Sequence, residues 1–414
     1  MTDFQGEMNR NRVVVTGMGA VTPVGINVKD TWESLIQGKS GIDRIKSFDT
    51  LDLETTIAAE VSNEFEALVE ERVSRRQRKQ MTRMTKMTLA ATFDAIDESG
   101  LDFNKIDKSR VAVILGIITT GYNDNERNKS TSNYVVKTMP NAPSAWISLL
   151  YGIEGANFNV STACASSAYA ISIASHLIES GIYDVVICGG ADSTISYDGI
   201  KGFNQVMAMS TNNENPQKAS KPFSKDRDGF IMGEGAGILV LESLSFAKGR
   251  NANIHSELLG YAITSEAQDI VAPKENGAGM LITMEKAIQK AGCHKDEIDY
   301  INAHGTSTYL NDKYETFAIK SCFKDRAKKI PVSSTKSMTG HTIAAGGAIE
   351  SIVTILSINN SVLTPTINYD EPDPELDLDY VPNMARKADI RIGLSNSFGF
   401  GGHNATLIYK GYQE

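Results

Sequence analysis

The sequence predicts an α/β protein made of two related halves. Three observations carry that prediction. Apolar runs of strand character recur in two series of five, stretches with helical spacing separate many of them, and a strand–small-residue–helix pattern in the first half returns in the second.

The first series is RVVVTGMG (12–19), RVAVILG (110–116), NFNVST (157–162), DVVICGG (184–190) and GAGILVLES (235–243). Each is a short run of strand character, and most are apolar throughout, as strands buried on both faces are. The second is IHSELLGYAIT (254–264), IDYINAHG (298–305), IPVSSTKS (330–337), IRIGLSNS (390–397) and NATLIYK (404–410). MTLAATFDAIDESG (87–100) and GGAIESIVTILSI (346–358) show helical spacing. The recurrence pairs NVSTACASSAYAISIASHLIES (159–180) with IPVSSTKSMTGHTIAAGGAIESI (330–352). A division into residues 1–253 and 254–414 follows, the first half holding Cys164 and the second two histidines and a lysine. VVVTGMGAVTPVG resembles a dinucleotide-binding turn, but Thr22 and Pro23 fall where that turn needs glycine and helix, so Gly17 and Gly19 read as a tight turn.

Composition narrows the function. The chain has 414 residues, 41% hydrophobic and 22% charged, with a net charge of −9. An acidic balance speaks against a nucleic-acid partner. No apolar run approaches the ~20 residues of a membrane span, and the polar N-terminus lacks a signal-peptide core, so a cytoplasmic protein is expected. One stretch, ERVSRRQRKQMTRMTK (71–86), is strongly basic through Arg72, Arg75, Arg76, Arg78, Lys79, Arg83 and Lys86. It reads either as a solvated helix face or as a docking patch for an acidic partner. The cysteines, Cys164, Cys188, Cys293 and Cys322, form no CxxC pair, so neither a structural zinc nor disulfides are expected. Cys188 reads as strand filler.

Cys164 differs because it sits where a strand gives way to a helix, among Ala163, Ala165, Ser166 and Ser167. A helix N-terminus favours anions, which predicts a shift toward thiolate, and small neighbours leave room for an acyl group. His176, His255 and His294 lie in ordinary contexts, whereas His304 (NAHGTST) and His341 (KSMTGH) sit beside glycine at strand ends. Two such imidazoles could serve a thiolate as general base, or could both donate to one developing enolate oxygen, and spacing does not choose between these. Lys336 adds a cation, and Glu350 on the following helix is placed to hold it.

STACASS, NAHGTST, STKSMTGH and NSFGFGGHN together resemble the four motifs of β-ketoacyl-acyl carrier protein synthases, closest to the type II elongating enzymes. KPFSKDRDGFIMGEGAGILVLE (221–242) and APKENGAGM (272–280) match as well, so the resemblance spans nearly the whole chain. It implies a thiolase fold, a duplicated five-layered αβαβα sandwich that is usually dimeric. It implies that Cys164 takes an acyl chain from a carrier protein's phosphopantetheine arm, with backbone N–H groups of Cys164 and Phe400 around the oxyanion. His304 and His341 would then stabilise the enolate left when malonyl-carrier protein loses CO₂. No metal or redox cofactor is implied. Thr306 and Thr308 would bind the pantetheine arm, and Phe400 beside Phe398 would gate the pocket on the mobile glycines Gly399, Gly401 and Gly402. Asp312 and Glu315 resemble loop residues that pin the gate. An acidic carrier protein favours the docking reading for Arg72, Arg75, Arg76, Arg78 and Lys79.

Two departures from the family pattern stand out. A segment reading IITTGYNDNERNKSTSNYVVKTMPNAPSAWIS (117–148) replaces a glycine-rich run in the region that shapes the acyl pocket and dimer interface, and Tyr309 and Asn311 stand where Pro and Gly are usual. They point to a specialised synthase, such as the ketosynthase of a type II polyketide or polyene pathway, working as a homodimer or with a chain-length-factor-like subunit. The alternatives are a non-catalytic chain-length-factor-like subunit, which would have lost the cysteine, and a coenzyme A-dependent thiolase, which would carry a second cysteine near the C-terminus.

Overall fold

The computed structural model describes residues 11–119 and 133–413. The first half runs β1 (Val13–Val21), α1 (Arg83–Ser99), β2 (Val111–Gly116), α2 (Ala142–Tyr151), β3 (Asn157–Val160), α3 (Ser166–Glu179), β4 (Val185–Asp192) and β5 (Gly235–Ser243). The second runs β6 (Ser256–Ser265), α4 (Ala278–Ala291), β7 (Tyr300–Asn302), α5 (Tyr309–Phe323), β8 (Val332–Ser333), α6 (Gly346–Asn360), β9 (Ile392–Gly399) and β10 (His403–Gly411). Each of the ten apolar runs contains or overlaps one strand of the main sheet.

That sheet has the order β8-β7-β9-β10-β6-β1-β5-β4-β2-β3. Its seam is a short antiparallel pairing of β1 with β6, Val14 opposite Glu257 and Val15 opposite Ser256. Outward from the seam one half reads β1-β5-β4-β2-β3 and the other β6-β10-β9-β7-β8, so every strand has a counterpart five positions later. The sense of pairing repeats too: antiparallel near the seam, parallel among the outer three strands of each half. Helices α1 and α2 pack on the first half and α4 on the second, with α5 against α4, while α3 and α6 touch strands of both. This is the thiolase-type layering expected from the resemblance, with α3 and α6 as the central layer.

Local sequence explains the key elements. Helix α1 starts where the Thr82 side chain accepts the Thr85 N–H and stops at left-handed Gly100, two standard helix punctuations. Gly17 and Gly19 do not form a tight turn, as the sequence suggested; they lie inside β1, where a Cβ would come within 2.0 Å of the Ala95 carbonyl oxygen and 1.8 Å of that of Ala91. Their lack of a side chain lets the α1 backbone press on the strand. Among the described residues one stretch, Ile343–Asn360, is long and apolar enough to cross a membrane, and it is core, 83% buried inside the fold.

Candidate active site

The C-terminal ends of β3, β7, β8 and β9 converge on one cavity of about 370 Å³. Cys164, His304, His341, Thr306, Thr308, Phe398, Gly399, Phe400 and Gly402 all line it. The Cys164 sulfur and the nearest ring nitrogens of His304 and His341 lie within 4.8 Å of one another. Among the described residues this is the group able to converge on an ion, but the buried Lys336 ammonium beside it opposes a cation there.

The turn carrying Cys164 is tightly built. Ala163 is left-handed at φ +48°, a conformation costing a non-glycine residue on the order of 1–2 kcal/mol. The Ser166 hydroxyl repays part of this by accepting the Thr162 N–H (2.9 Å) and donating to the Ala163 carbonyl (2.7 Å). Gly399 backs the turn; a Cβ there would sit 2.8 Å from the Thr162 carbonyl oxygen and 3.1 Å from the Cys164 nitrogen. Backbone N–H groups of Phe400 and of Cys164 itself act to lower the thiol, and these are the two donors assigned to the oxyanion by resemblance.

The thiol is not the resting thiolate that the helix-terminus argument predicted. Desolvation pushes it up to about 12, outweighing Lys336 and the two N–H groups, which pull it down. Helix α3 begins only at Ser166, two residues on, so the helix terminus does not compensate for burial. Burial also holds both imidazoles well below their ordinary value, with Lys336 adding to the effect. The resting site therefore holds a neutral thiol and two neutral imidazoles.

The imidazoles stand edge-to-face, centroids 5.3 Å apart at 84°. Phe398 packs edge-on against His304 at 5.9 Å, and Phe230 against His341 at 5.5 Å. Phe400 lies 6.4 Å from Phe203, which packs on Phe230 at 5.2 Å. Buried Lys336 pairs with buried Glu350, whose carboxyl burial raises despite the pairing.

Asp312 and Glu315 are placed differently from the expectation. They lie on α5 rather than in a loop, and both are fully buried. Glu315 accepts the N–H groups of His304 (2.9 Å) and Gly305 (2.8 Å) and the Asn396 amide (3.2 Å). Asp312 accepts the Phe223 N–H at 2.8 Å and lies 4.0 Å from Arg227. In this structure they fasten the His304 loop and residue 223 rather than the glycine-rich segment. That segment is tied instead through Gly401 N–H to the Ile270 carbonyl (2.7 Å) and Glu266 N–H to the Gly402 carbonyl (3.0 Å). Gly401 (φ +80°) and Gly402 (φ +71°) need their freedom for backbone shape, Gly399 for close packing. Thr306 and Thr308 join hydroxyls at 2.9 Å on the cavity wall.

The basic stretch divides in two. Arg72 pairs with Asp97, Arg78 with Glu70, Arg83 with Glu234 and Lys86 with Glu66. Arg75, Arg76 and Lys79 are exposed around a short helix, with no ion-pair partner among the described residues. The segment 117–148 is described only in part, since residues 120–132 lie outside the described residues. Sequence reasoning missed Phe203, Phe230 and Asp192. The two phenylalanines carry no motif, and Asp192, a buried carboxyl raised to about 7 at the end of β4, acts on the Cys164 thiol only through the fold.

The fold and the pocket define a thiolase-fold protein with one cysteine facing two histidines. The chain belongs to the β-ketoacyl synthase family: residues 10–247 match "Beta-ketoacyl synthase, N-terminal domain" and residues 255–370 "Beta-ketoacyl synthase, C-terminal domain". It is 40% identical to the 3-oxoacyl-[acyl-carrier-protein] synthase 2 of Staphylococcus aureus (strain COL) over 98% of this chain and 100% of that one. It is 38% identical to the enzyme of the same name from Vibrio harveyi, over 97% and 99% of the two chains. Among solved structures it is similar to the ishigamide ketosynthase/chain length factor, with TM-score 0.89 and 33% identity over 98% of this chain and 100% of the other. It is also similar to a chain in a complex of a type II polyketide acyl-carrier protein with its hexaketide-bound ketosynthase, with TM-score 0.87 and 32% identity over 97% and 100%.

Proposed function

We propose that this chain is a decarboxylating condensing enzyme, a 3-oxoacyl-acyl carrier protein synthase, that joins an acyl group held on Cys164 to malonyl-carrier protein. The observation that carries this is the convergence of one sulfur and two imidazoles within 4.8 Å at the base of one cavity. In the first half-reaction Cys164 attacks the carrier-bound thioester. The S–acyl bond to Cys164 forms, the bond to the pantetheine sulfur breaks, and the thiol proton passes to that leaving sulfur. The oxyanion of this step takes the N–H groups of Cys164 and Phe400, which also favour the thiolate.

In the second half-reaction malonyl-carrier protein loses CO₂. The enolate oxygen accepts from neutral His304 and His341, and the enolate carbon attacks the acyl-Cys164 carbonyl. The Cys164 thiolate leaves, takes up one proton, and the product is a β-ketoacyl-carrier protein two carbons longer. Depressed basicity in both imidazoles favours the enolate-donor reading over a general-base role, because a weak base holds the thiol proton poorly. Lys336, held by Glu350, keeps the histidines neutral and lowers the thiol. Thr306 and Thr308 line the path of the pantetheine arm. Phe400 with Phe398, on Gly399, Gly401 and Gly402, borders the acyl side, while Glu315 and Asp312 support the His304 loop. No cofactor enters this chemistry. The two halves, divided near residue 253, contribute the nucleophile and the enolate donors respectively.

The presence of Cys164 argues against a non-catalytic chain-length-factor-like subunit. A coenzyme A-dependent thiolase would bring a second cysteine to the pocket, and Cys188, Cys293 and Cys322 do not line the cavity. The partners are an acyl carrier protein, with Arg75, Arg76 and Lys79 offering exposed charge, and a second ketosynthase-fold subunit, identical or chain-length-factor-like. The expected setting is cytoplasmic, and the pathway is fatty-acid-like or type II polyketide elongation. The test is to supply a panel of acyl-carrier proteins with malonyl-carrier protein and measure CO₂ and β-ketoacyl product. Extension of any member by two carbons supports the proposal, and acyl exchange with free coenzyme A without CO₂ release overturns it.

A further inference from the structure

The stretch FIMGE (230–234) leads into β5 in the first half, yet it holds an active-site imidazole of the second. Neither ring nitrogen of His341 has a hydrogen-bond partner among the described residues, so backbone and packing place this ring. Residues 230–234 supply both. The His341 N–H donates to the Ile231 carbonyl at 2.7 Å, and the His341 carbonyl accepts the Gly233 N–H at 2.9 Å. The Phe230 ring packs edge-on against the imidazole at 5.5 Å. The approach leaves no slack, since a Cβ on Gly233 would lie 2.6 Å from the Thr339 carbonyl oxygen. A shift of this stretch is therefore passed to His341.

The far side of the stretch is fastened in turn. The Met232 carbonyl accepts the Ala59 N–H at 2.8 Å, and the Glu234 N–H donates to the Ala59 carbonyl at 3.1 Å. The Glu234 side chain is buried and fully engaged. Its Oε1 accepts the Val61 N–H at 2.9 Å, and its Oε2 accepts the Ser193 hydroxyl at 2.8 Å. Arg83, the first residue of α1, donates Nη2 to Oε1 at 2.7 Å and Nε to both oxygens at 3.1 Å. The guanidinium also reaches the Val61 carbonyl and the Asn63 amide oxygen, and it lies 5.2 Å from the Phe65 ring centre. A buried ion pair often adds little net stability over packed apolar side chains, whereas a guanidinium fork on a carboxylate fixes geometry. Neither Arg83 nor Glu234 lines the active-site cavity, so both act on it only through the stretch they hold.

We propose that Glu234, clamped by Arg83, is the positioning residue for His341 in malonyl decarboxylation. This rests on the condensing-enzyme reading. Glu315 holds the His304 backbone directly and from within the second half. Glu234 holds His341 from the first half, through the backbone of residues 231–233. The half that carries the nucleophile thereby sets the angle of one enolate donor in the other.

The test uses the full-length enzyme with malonyl-carrier protein and compares the wild type, Arg83→Met with Glu234→Gln, and Arg83→Lys. The double variant removes both charges, so none is left buried without a partner, and Arg83→Lys keeps a cation on Glu234. In the double variant kcat for CO₂ release should fall about ten- to hundredfold with KM unchanged. Acylation of Cys164 should keep its wild-type rate. Arg83→Lys should lose only about threefold in kcat, and it decides alone if the double variant does not fold. With isotope-labelled histidine, NMR should show the His341 ring signals displaced and those of His304 in place. A purely structural pair would lower the urea midpoint while kcat and the ring signals of the folded enzyme stayed as in the wild type, which overturns the proposal. A rise in KM alone would make Arg83 a carrier contact, and equal losses of acylation and CO₂ release would make the damage general; either result also overturns it. A wild type that releases no CO₂ would instead strike the condensing-enzyme reading, and unmoved His341 ring signals would then refute the positioning role by themselves.

Discussion

The turn after β3 and the turn after β8 occupy equivalent places in the two halves, yet they carry opposite chemistry. Each leads into a central helix, and each contains a strained non-glycine residue three positions before that helix: Ala163 (φ +48°) before Ser166, and Ile343 (φ +43°) before Gly346. The two helix starts pack on one another. The Ser167 hydroxyl accepts the Ala348 N–H at 3.0 Å, and a Cβ on Gly347 would lie 2.9 Å from that of Ala168. From the same framework the first turn offers a thiol and the second a buried ammonium and an imidazole. The β7 end adds His304, while its counterpart, the end of β2, leads into apolar Ile117 and Ile118. Duplication thus supplies two facing sets of strand ends, and divergence in a few residues gives them different side chains; in the proposed function the first half would capture the acyl group and the second make the carbanion.

The largest break in this comparison is Cys164→Ala, for which condensation measured as β-ketoacyl product should fall by about three orders of magnitude or more. Removing the cation of the second turn is next. Lys336→Ala leaves Glu350 buried and unpaired, which costs about 3–5 kcal/mol of stability in denaturant unfolding. The same variant raises the thiol further, because the ammonium that lowers it is gone, so alkylation of Cys164 at any fixed pH should slow. In the wild type that alkylation should climb steadily up to alkaline pH, in keeping with a thiol near 12. Glu315→Ala orphans the His304 and Gly305 N–H groups and should cost about 1–3 kcal/mol, with a drop in malonyl decarboxylation as the His304 loop loosens.

A smaller, pH-dependent effect sharpens the account. Burial raises Glu315 from 4.5 to about 7, so its proton is held more tightly in the folded chain than in the unfolded one. Its contribution is fully present below pH ~4.5 and is lost as pH rises to about 7, a change of up to about 3 kcal/mol from this group. Glu315→Gln should flatten the stability profile between those values, read as unfolding midpoints in urea.

Much of this was legible in the sequence. Apolar runs located the ten sheet strands because most of them are covered on both faces and so are apolar along their length, whereas β3 is partly exposed and β6 alternates. Cys164, His304 and His341 stood out because small neighbours at strand ends leave a reactive side chain open to a cavity. What stayed hidden depends on distances between segments far apart in the chain. Gly17 and Gly19 looked like a turn because the helix pressing on them begins more than sixty residues later. The Cys164 thiol looked activated because local sequence shows the helix terminus but not the burial that overrides it. Asp312 and Glu315 were placed in a loop by resemblance alone, and the helix Tyr309–Phe323 that carries them was not read from the sequence. The basic stretch looked uniform because its carboxylate partners, among them Asp97 and Glu234, lie outside it.

The division of labour is tested most directly by measuring the two half-reactions separately in crossed variants: acyl transfer onto the enzyme by mass, and CO₂ release from malonyl-carrier protein. The account predicts that Cys164→Ala releases CO₂ without acquiring an acyl group, and that His304→Ala and His341→Ala become acylated while releasing CO₂ about 10²–10³-fold more slowly. Loss of acylation together with decarboxylation in both histidine variants would make the imidazoles bases for the thiol and contradict the split between the halves.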